Sequence, residues 1–278
     1  MPSLYPNLLK SLLLLLWSVV PLELHAITPH PVIPDARPIG SYSNGCIKNT
    51  QALALNGTGY QVMRLSRQRF FGHPGLIELI RYLGQQASNE QLGTLLVGDL
   101  SMPKGGPMPF GHRSHQTGLD ADIWFWLDSP ANAELLSDEQ REKLQAPSVV
   151  IEHSQSIDLE KWHPENSRIL QLTAEHPLVE RIFVNPAIKL HLCQTAQPNE
   201  RAWLHKIRPW WHHTDHFHVR LRCPPGQPQC QNQPPIESGP GCDSTLDEWF
   251  KIDTQPKITK KPVPVPLPEE CIAYLQEN

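Results

Sequence analysis

Apolar and polar residues alternate most regularly over residues 216–222, HFHVRLR. In an extended chain successive side chains point to opposite faces, so Phe217, Val219 and Leu221 share one face while His216, His218, Arg220 and Arg222 share the other. A second alternation puts Asp120, Asp122 and Trp124 on one face and Ala121, Ile123 and Phe125 on the other. TLLVGDL (94–100) reads as a short buried strand, and RIFVN (181–185) as another. Helical spacing governs PGLIELIRYLGQQ, where Leu76, Leu79, Ile80 and Leu83 recur on one side and Pro74 occupies the tolerant first turn. Helices are also predicted for SDEQREKLQ, with Ser137 and Gln140 at capping-box spacing, for ENSRILQLTAEH, for PAIKLHLCQTA after Asn185, and for NERAWLHKIR. The Gly- and Pro-rich SMPKGGPMPFGHRSH must be a loop. Residues 27–45 read as an arm outside the core. KITKKPVPVPLPEE reads as polyproline II tethered near Cys271. The predicted fold is a single α+β domain: a central, largely antiparallel sheet, flanking helices and a disulfide-tethered Pro-rich tail. The boundaries are 27–255 for the domain and 256–278 for the tail.

Composition places this domain outside the cytoplasm. Lys10 precedes the apolar run SLLLLLWSVV, which is too short to cross a bilayer, and Leu24 and Ala26 stand at the −3 and −1 positions of a cleavage site. Residues 1–26 therefore read as a secretory signal peptide. No later stretch is apolar enough for stable membrane insertion. A net charge of −4 without a Lys/Arg run argues against nucleic acid as a partner. Six cysteines in an exported chain, with no CxxC spacing, read as three disulfides. Spacing alone singles out only Cys223 with Cys230 as a natural local pair.

The chemistry concentrates in two windows. WWHHTDHFHVRLRC holds His212, His213, His216 and His218, and SHQTGLDAD holds His115 and Asp122. A lone histidine on a strand face is usually a partly buried side chain, but His-x-His with two more just upstream points to a metal or catalytic centre. A hydrolytic zinc wants about three imidazole or carboxylate ligands and an open position, and His115, Asp122 and His218 supply that set. His216, on the same face, is the first choice for the proton-transferring imidazole and His213 the second. Asp120 reads as an orienting group and Asp215 as a turn residue. Two rivals stand beside this reading. Ser101 and Lys104 form an SxxK, but Pro103 and the following glycines leave no helix for it and no KTG occurs. An exported zinc- or copper-binding protein, or a cell-wall binder without catalysis, is the other.

SHQTGLDADIW and HHTDHFHVRLRCP resemble the penicillin-insensitive murein endopeptidases, within the zinc cell-wall peptidases that include lysostaphin-type and D-alanyl-D-alanine enzymes. GSYSNGCI, YQVMR, FFGHPGLI, RIFVNPAIK and the Cys-bearing tail extend the likeness over residues 27–278. The resemblance implies zinc held by His115, Asp122 and His218, with His216 and His213 at the catalytic imidazole positions. His112 matches a family histidine near the metal and is carried as a further candidate, either a ligand or an orienting neighbour. Disulfides Cys46–Cys271, Cys193–Cys242 and Cys223–Cys230 are implied as well. So is periplasmic hydrolysis of the D-alanyl–meso-diaminopimelyl cross-link of peptidoglycan. A homodimer is left open.

Overall fold

The computed structural model describes residues 35–152, 155–251 and 265–277. The predicted signal peptide and residues 256–264 of the predicted tail lie outside them. The first strands, β1 (Arg37–Ser41) and β2 (Asn44–Lys48), form a hairpin; β3 (Gln51–Ala52), β4 (Asn56–Gly57), β5 (Tyr60–Val62) and β6 (Phe71–Gly72) follow. Helix α1 (Pro74–Asn89) leads to β7 (Leu95–Val97), β8 (Asp120–Trp124), α2 (Asp138–Lys143) and α3 (Pro164–Glu175). The chain then runs through β9 (Val179–Val184), α4 (Pro186–Thr195), β10 (Ile207–Pro209), β11 (His216–Leu221), β12 (Cys230–Gln231) and α5 (Glu269–Gln276). Seven strands make one mixed sheet in the order β10-β9-β11-β8-β7-β5-β4. Its centre, β9-β11-β8-β7, is antiparallel, and the parallel pairs β10-β9 and β7-β5 flank it.

The two alternating segments become neighbours here. In the antiparallel ladder Val219 lies opposite Ala121 and His218 opposite Asp122. Phe217, Val219, Ala121 and Ile123 are fully buried in the main core. The polar face of β11 is covered too: Arg220 lies against the Tyr42 and Phe183 rings, and His218 and Arg220 are also buried. Helix α1 buries Leu76, Ile77, Leu79, Ile80 and Leu83, starting where the His73 ring accepts the Gly75 N–H and Pro74 needs no donor partner. α2 carries the reciprocal Ser137–Gln140 capping box.

Three expectations change. Residues 37–48 are a buried hairpin rather than an arm: Ile39, Cys46 and Cys271 pack together under Leu267, Tyr274 and Leu275. The hairpin's apolar partners come from the far end of the chain, so no local pattern announces them. NERAWLHKIR is not an α-helix but a 3-10 segment, Pro198–Lys206, running into β10; only Leu204 along it is buried, which leaves no apolar stripe to hold an α-helix against the core. The last two residues of the stretch predicted as polyproline II are helical: α5 begins at Glu269, with Glu269 and Glu270 favourably placed in its first turn. The cysteines pair as Cys46–Cys271, Cys193–Cys242 and Cys223–Cys230. No helix among the described residues is long and apolar enough to cross a membrane.

Candidate metal centre

The β8–β11 register sets the site. Because His218 and Asp122 are directly opposed, their side chains emerge on the same face, and His218 Nδ1 lies 3.4 Å from Asp122 Oδ1. His115 arrives from the Gly/Pro-rich loop in a left-handed conformation, φ 67°. Such a conformation is costly for a side chain of this size and needs support. The buried Asp120 carboxylate gives it, accepting the His115 N–H at 2.9 Å. His115 Nδ1 is 3.1 Å from the Leu100 carbonyl, an acceptor only, so this nitrogen carries the proton. Nε2 is left with its lone pair, 3.4 Å from Asp122 Oδ1.

Asp120 and Asp122, two residues apart on one strand face, do different work. Asp120 is clamped by Arg220 through Nε at 2.7 Å and Nη2 at 3.0 Å, and His218 Nε2 stands 3.2 Å from the same carboxylate. That approach is off-line for a hydrogen bond, so His218 Nε2 is buried without an aligned partner. Asp122 Oδ1 and His115 Nε2 are likewise buried and unpartnered. Buried polar atoms are rarely left so, and a cluster of them signals a missing ligand. Two donors each about 2.1 Å from a tetrahedral ion stand about 3.4 Å apart, the separation found here on both sides of Asp122 Oδ1. His115 Nε2 and His218 Nδ1 each stand at that spacing from Asp122 Oδ1, a separation that a shared metal ion would span.

His112 reaches the other oxygen of Asp122. Its Nε2 is 3.3 Å from Asp122 Oδ2 and 3.1 Å from Asp99 Oδ2, and the ligand atoms of His112, His115 and Asp122 all lie within 4.8 Å of one another. Asp99 in turn accepts from Arg69 at 2.7 Å and Arg67 at 3.0 Å. His216 and His213 complete the cluster, their rings 5.0 Å apart. His216 Nδ1 is 2.6 Å from Asp215 Oδ1, which turns Nε2 toward the centre, 3.9 Å from Asp122 Oδ1. His213 Nδ1 is 2.7 Å from the Trp211 carbonyl, so Nε2 is its free basic atom. His212 and His213 are both left-handed, φ 62° and 52°. Asn185 fastens this strained turn, its side-chain amide donating to His212 O at 2.9 Å and its backbone N–H to His213 O at 3.2 Å. His212 is exposed and takes no part.

The charges follow from this packing. Burial alone would raise Asp122, but the surrounding imidazoles of His115, His216 and His112 hold it well below the carboxylate range. Burial works to lower His115 and His216, but the surrounding carboxylates together raise both, Asp122 foremost, with Asp120 and Asp99 adding at His115 and Asp215 at His216. His213 is pushed down to about 4 by burial, with the His216 charge adding to it. His218 falls to about 4 through burial, against the pull of Asp120.

The structure thus gathers His112, His115, Asp122, His213, His216 and His218 into one site. Sequence reasoning passed over Asp99, Asn185 and Phe183 and set Asp215 aside as a turn residue. Asp215 directly precedes His216, an available hint; Asp99 and Phe183 carry no local signal, because only pairing of β7 and β9 with their neighbours brings them in.

Comparison with known proteins agrees in extent. The family described as penicillin-insensitive murein endopeptidase matches residues 38–276. The chain is 47% identical over 230 residues to the penicillin-insensitive murein endopeptidase of Haemophilus influenzae, covering 81% of this chain and 79% of the relative. Those of Klebsiella pneumoniae and Escherichia coli are each 44% identical, over 253 and 252 residues, covering 89% of both chains in each case. With both windows of the site inside the matched span, the chain belongs to the penicillin-insensitive murein endopeptidase family.

Proposed function

We propose that this peptidase is a zinc-dependent endopeptidase that hydrolyses the D-alanyl–meso-diaminopimelyl cross-link of peptidoglycan in the periplasm, after removal of residues 1–26. The observation that carries the reading is the trio of facing donors: buried, unpartnered His115 Nε2 and Asp122 Oδ1, with His218 Nδ1 at the same 3.4 Å from that oxygen. His115, Asp122 and His218 would hold zinc, and His112 is the further candidate, adjoining through Asp122 Oδ2. Bound zinc polarises the scissile carbonyl and lowers the pKa of an attacking water toward about 7.

The chain's own groups do the rest. Leu100 O fixes the His115 tautomer, and the Asp120–Arg220 pair orients His218. His216, with Nδ1–H given to Asp215, takes the water proton at Nε2 and returns a proton to the departing amine nitrogen. His213, kept neutral by burial, offers Nε2 beside it as an acceptor. Ser101 does not compete for this role. Ser101 Oγ is spent on Phe71 O at 2.7 Å, and Lys104 Nζ points away to the carbonyls of Tyr274 and Glu277. β-Lactams, which acylate such a serine, have no target in that pair.

The test is cleavage of a cross-linked muropeptide dimer. Zinc-loaded protein should cut it, a chelator should abolish cutting, zinc should restore it, and penicillin should change nothing. Tight zinc binding with no cleavage would instead leave an exported metal-binding protein.

A further inference from the structure

On the β9 side the metal centre runs out into a cluster of aromatic rings that no step above uses. Phe183 of β9 stands perpendicular to His218, with ring centres 5.3 Å apart, and lies 6.0 Å from Trp210. Trp210 and Trp211 lie 6.0 and 5.2 Å from Trp249, tilted to it by 56° and 52°. Trp210 is 52% exposed, and Trp211 and Trp249 are only partly covered. These indoles are therefore a partly exposed surface beside the reacting groups, with Trp249 also packed against the main core.

Two separate stretches of chain are held in place to build it. Trp210 and Trp211 open the same strained turn that carries His213. Trp249 lies on the 3-10 turn Asp247–Phe250, anchored by buried Leu246 and by the Cys193–Cys242 bridge. The buried Lys189 adds a further tie, donating to Leu204 O at 2.8 Å and to Pro240 O. Exposed apolar surface rimmed by polar groups marks a binding site when it adjoins a reacting centre.

We propose that Trp210, Trp211 and Trp249 form a stacking subsite for the neutral amino-sugar rings of the glycan strands that carry the cross-linked peptides. The proposal rests on the murein endopeptidase reading and extends it to the part of the substrate remote from the scissile bond. A pyranose ring has an apolar C–H face and a polar edge, which complement the flat face and single N–H donor of an indole. The alternative occupant from the same polymer, the stem peptide, is rich in carboxylates. Glu248 is paired with Lys251, but Asp247, on the turn that carries Trp249, would repel it, whereas an uncharged sugar incurs no such penalty. Binding energy gathered on the sugars, away from the reacting atoms, can then be used to position the cross-link over the metal centre.

The experiment compares kcat/KM for two substrates with the same scissile bond, a cross-linked muropeptide bearing its sugars and the same cross-linked peptide with its sugars removed. Wild-type protein should prefer the sugar-bearing form roughly tenfold, the scale of one or two aromatic stacking contacts. In Trp210→Ala and Trp249→Ala the ratio should fall to near one through a rise in KM, and Trp210→Phe should keep part of it. Should Trp249→Ala fail to fold, the half-exposed Trp210 carries the test. A wild-type ratio near one, or variants that lose activity equally on both substrates, overturns the subsite and leaves the endopeptidase reading standing. If neither substrate is cut, that reading fails. The subsite is then judged by quenching of indole fluorescence with an N-acetylglucosamine oligomer, which Trp210→Ala must abolish and whose absence in the wild type refutes it.

Discussion

Single atoms divide the labour among six clustered imidazole and carboxylate side chains. His218 and His216 lie on one strand face, yet His218 turns Nδ1 to Asp122 Oδ1 at 3.4 Å while His216 gives Nδ1 to Asp215 and keeps Nε2 free. The two should fail differently on substitution. His218→Ala is expected to lose bound zinc, measured as metal per protein after dialysis. His216→Ala should keep its zinc and lose turnover by about 10²–10⁴-fold, the usual worth of a positioned acid–base group. If His216→Ala turns over at the wild-type rate, the proton transfer belongs to His213. His112→Ala decides whether that ring is a ligand or an orienting neighbour: zinc is lost in the first case and retained in the second. The ligand candidates were legible in the sequence because histidines and aspartates crowd into two short windows. Of their supporting carboxylates Asp120 was legible and Asp99 was not, since an isolated Asp99 in GDL looks like any other aspartate until β7 is laid beside β8 and the Asp122 N–H meets Asp99 O at 3.1 Å.

Among the elements, period-2 alternation gave β8 and β11 because each buries one strictly apolar face, and period-3.6 spacing gave α1 through its buried leucines and isoleucines. Elements whose buried partner is remote left no such mark. The β1–β2 hairpin is covered by α5, and β10 is three residues long and leans on β9. Between elements, Asn185 is the joint that matters most for the site. Its Oδ1 accepts the Ala187 N–H at 2.9 Å and caps α4, while its Nδ2 holds the turn bearing His212 and His213. Asn185→Ala should therefore cost about 1 kcal/mol in urea unfolding, the worth of an N-cap. It should also reduce kcat by more than that stability loss explains, with zinc content unchanged, because the left-handed turn loses its side-chain anchor. A fall in stability with kcat intact would show that the turn is held by its backbone bonds alone.

At the scale of the whole molecule, two windows about a hundred residues apart in sequence meet in one sheet, and residues still further apart lock that sheet's surroundings. Burial pushes Lys189 down to about 7 from the usual lysine value near 10.4. Between those values the unfolded chain holds the proton and the folded one does not, so this group makes stability rise as pH goes from about 7 to about 10. Lys189→Met should flatten that rise in urea midpoints measured across the range. The Cys46–Cys271 bridge acts differently: it joins residues 225 apart, pinning α5 onto the β1–β2 hairpin and closing almost the whole described fold into one loop. Loops of this length lose the most chain entropy when closed, so Cys46→Ala with Cys271→Ala should lower unfolding free energy by about 2–5 kcal/mol. The metal centre depends on the β8–β11 register and on the loop to His115, and that loop leans on both partners of the bridge: the Ile47 N–H donates to Lys104 O at 3.1 Å, the Gln116 N–H to Tyr42 O at 3.2 Å and Lys104 Nζ to Tyr274 O at 3.3 Å. The folded double variant should therefore melt earlier and also bind zinc more weakly than the wild type, because the His115 loop loses part of its support. Wild-type zinc affinity in the folded variant would show instead that the hydrogen bonds to the hairpin hold the ligand loop without the bridge.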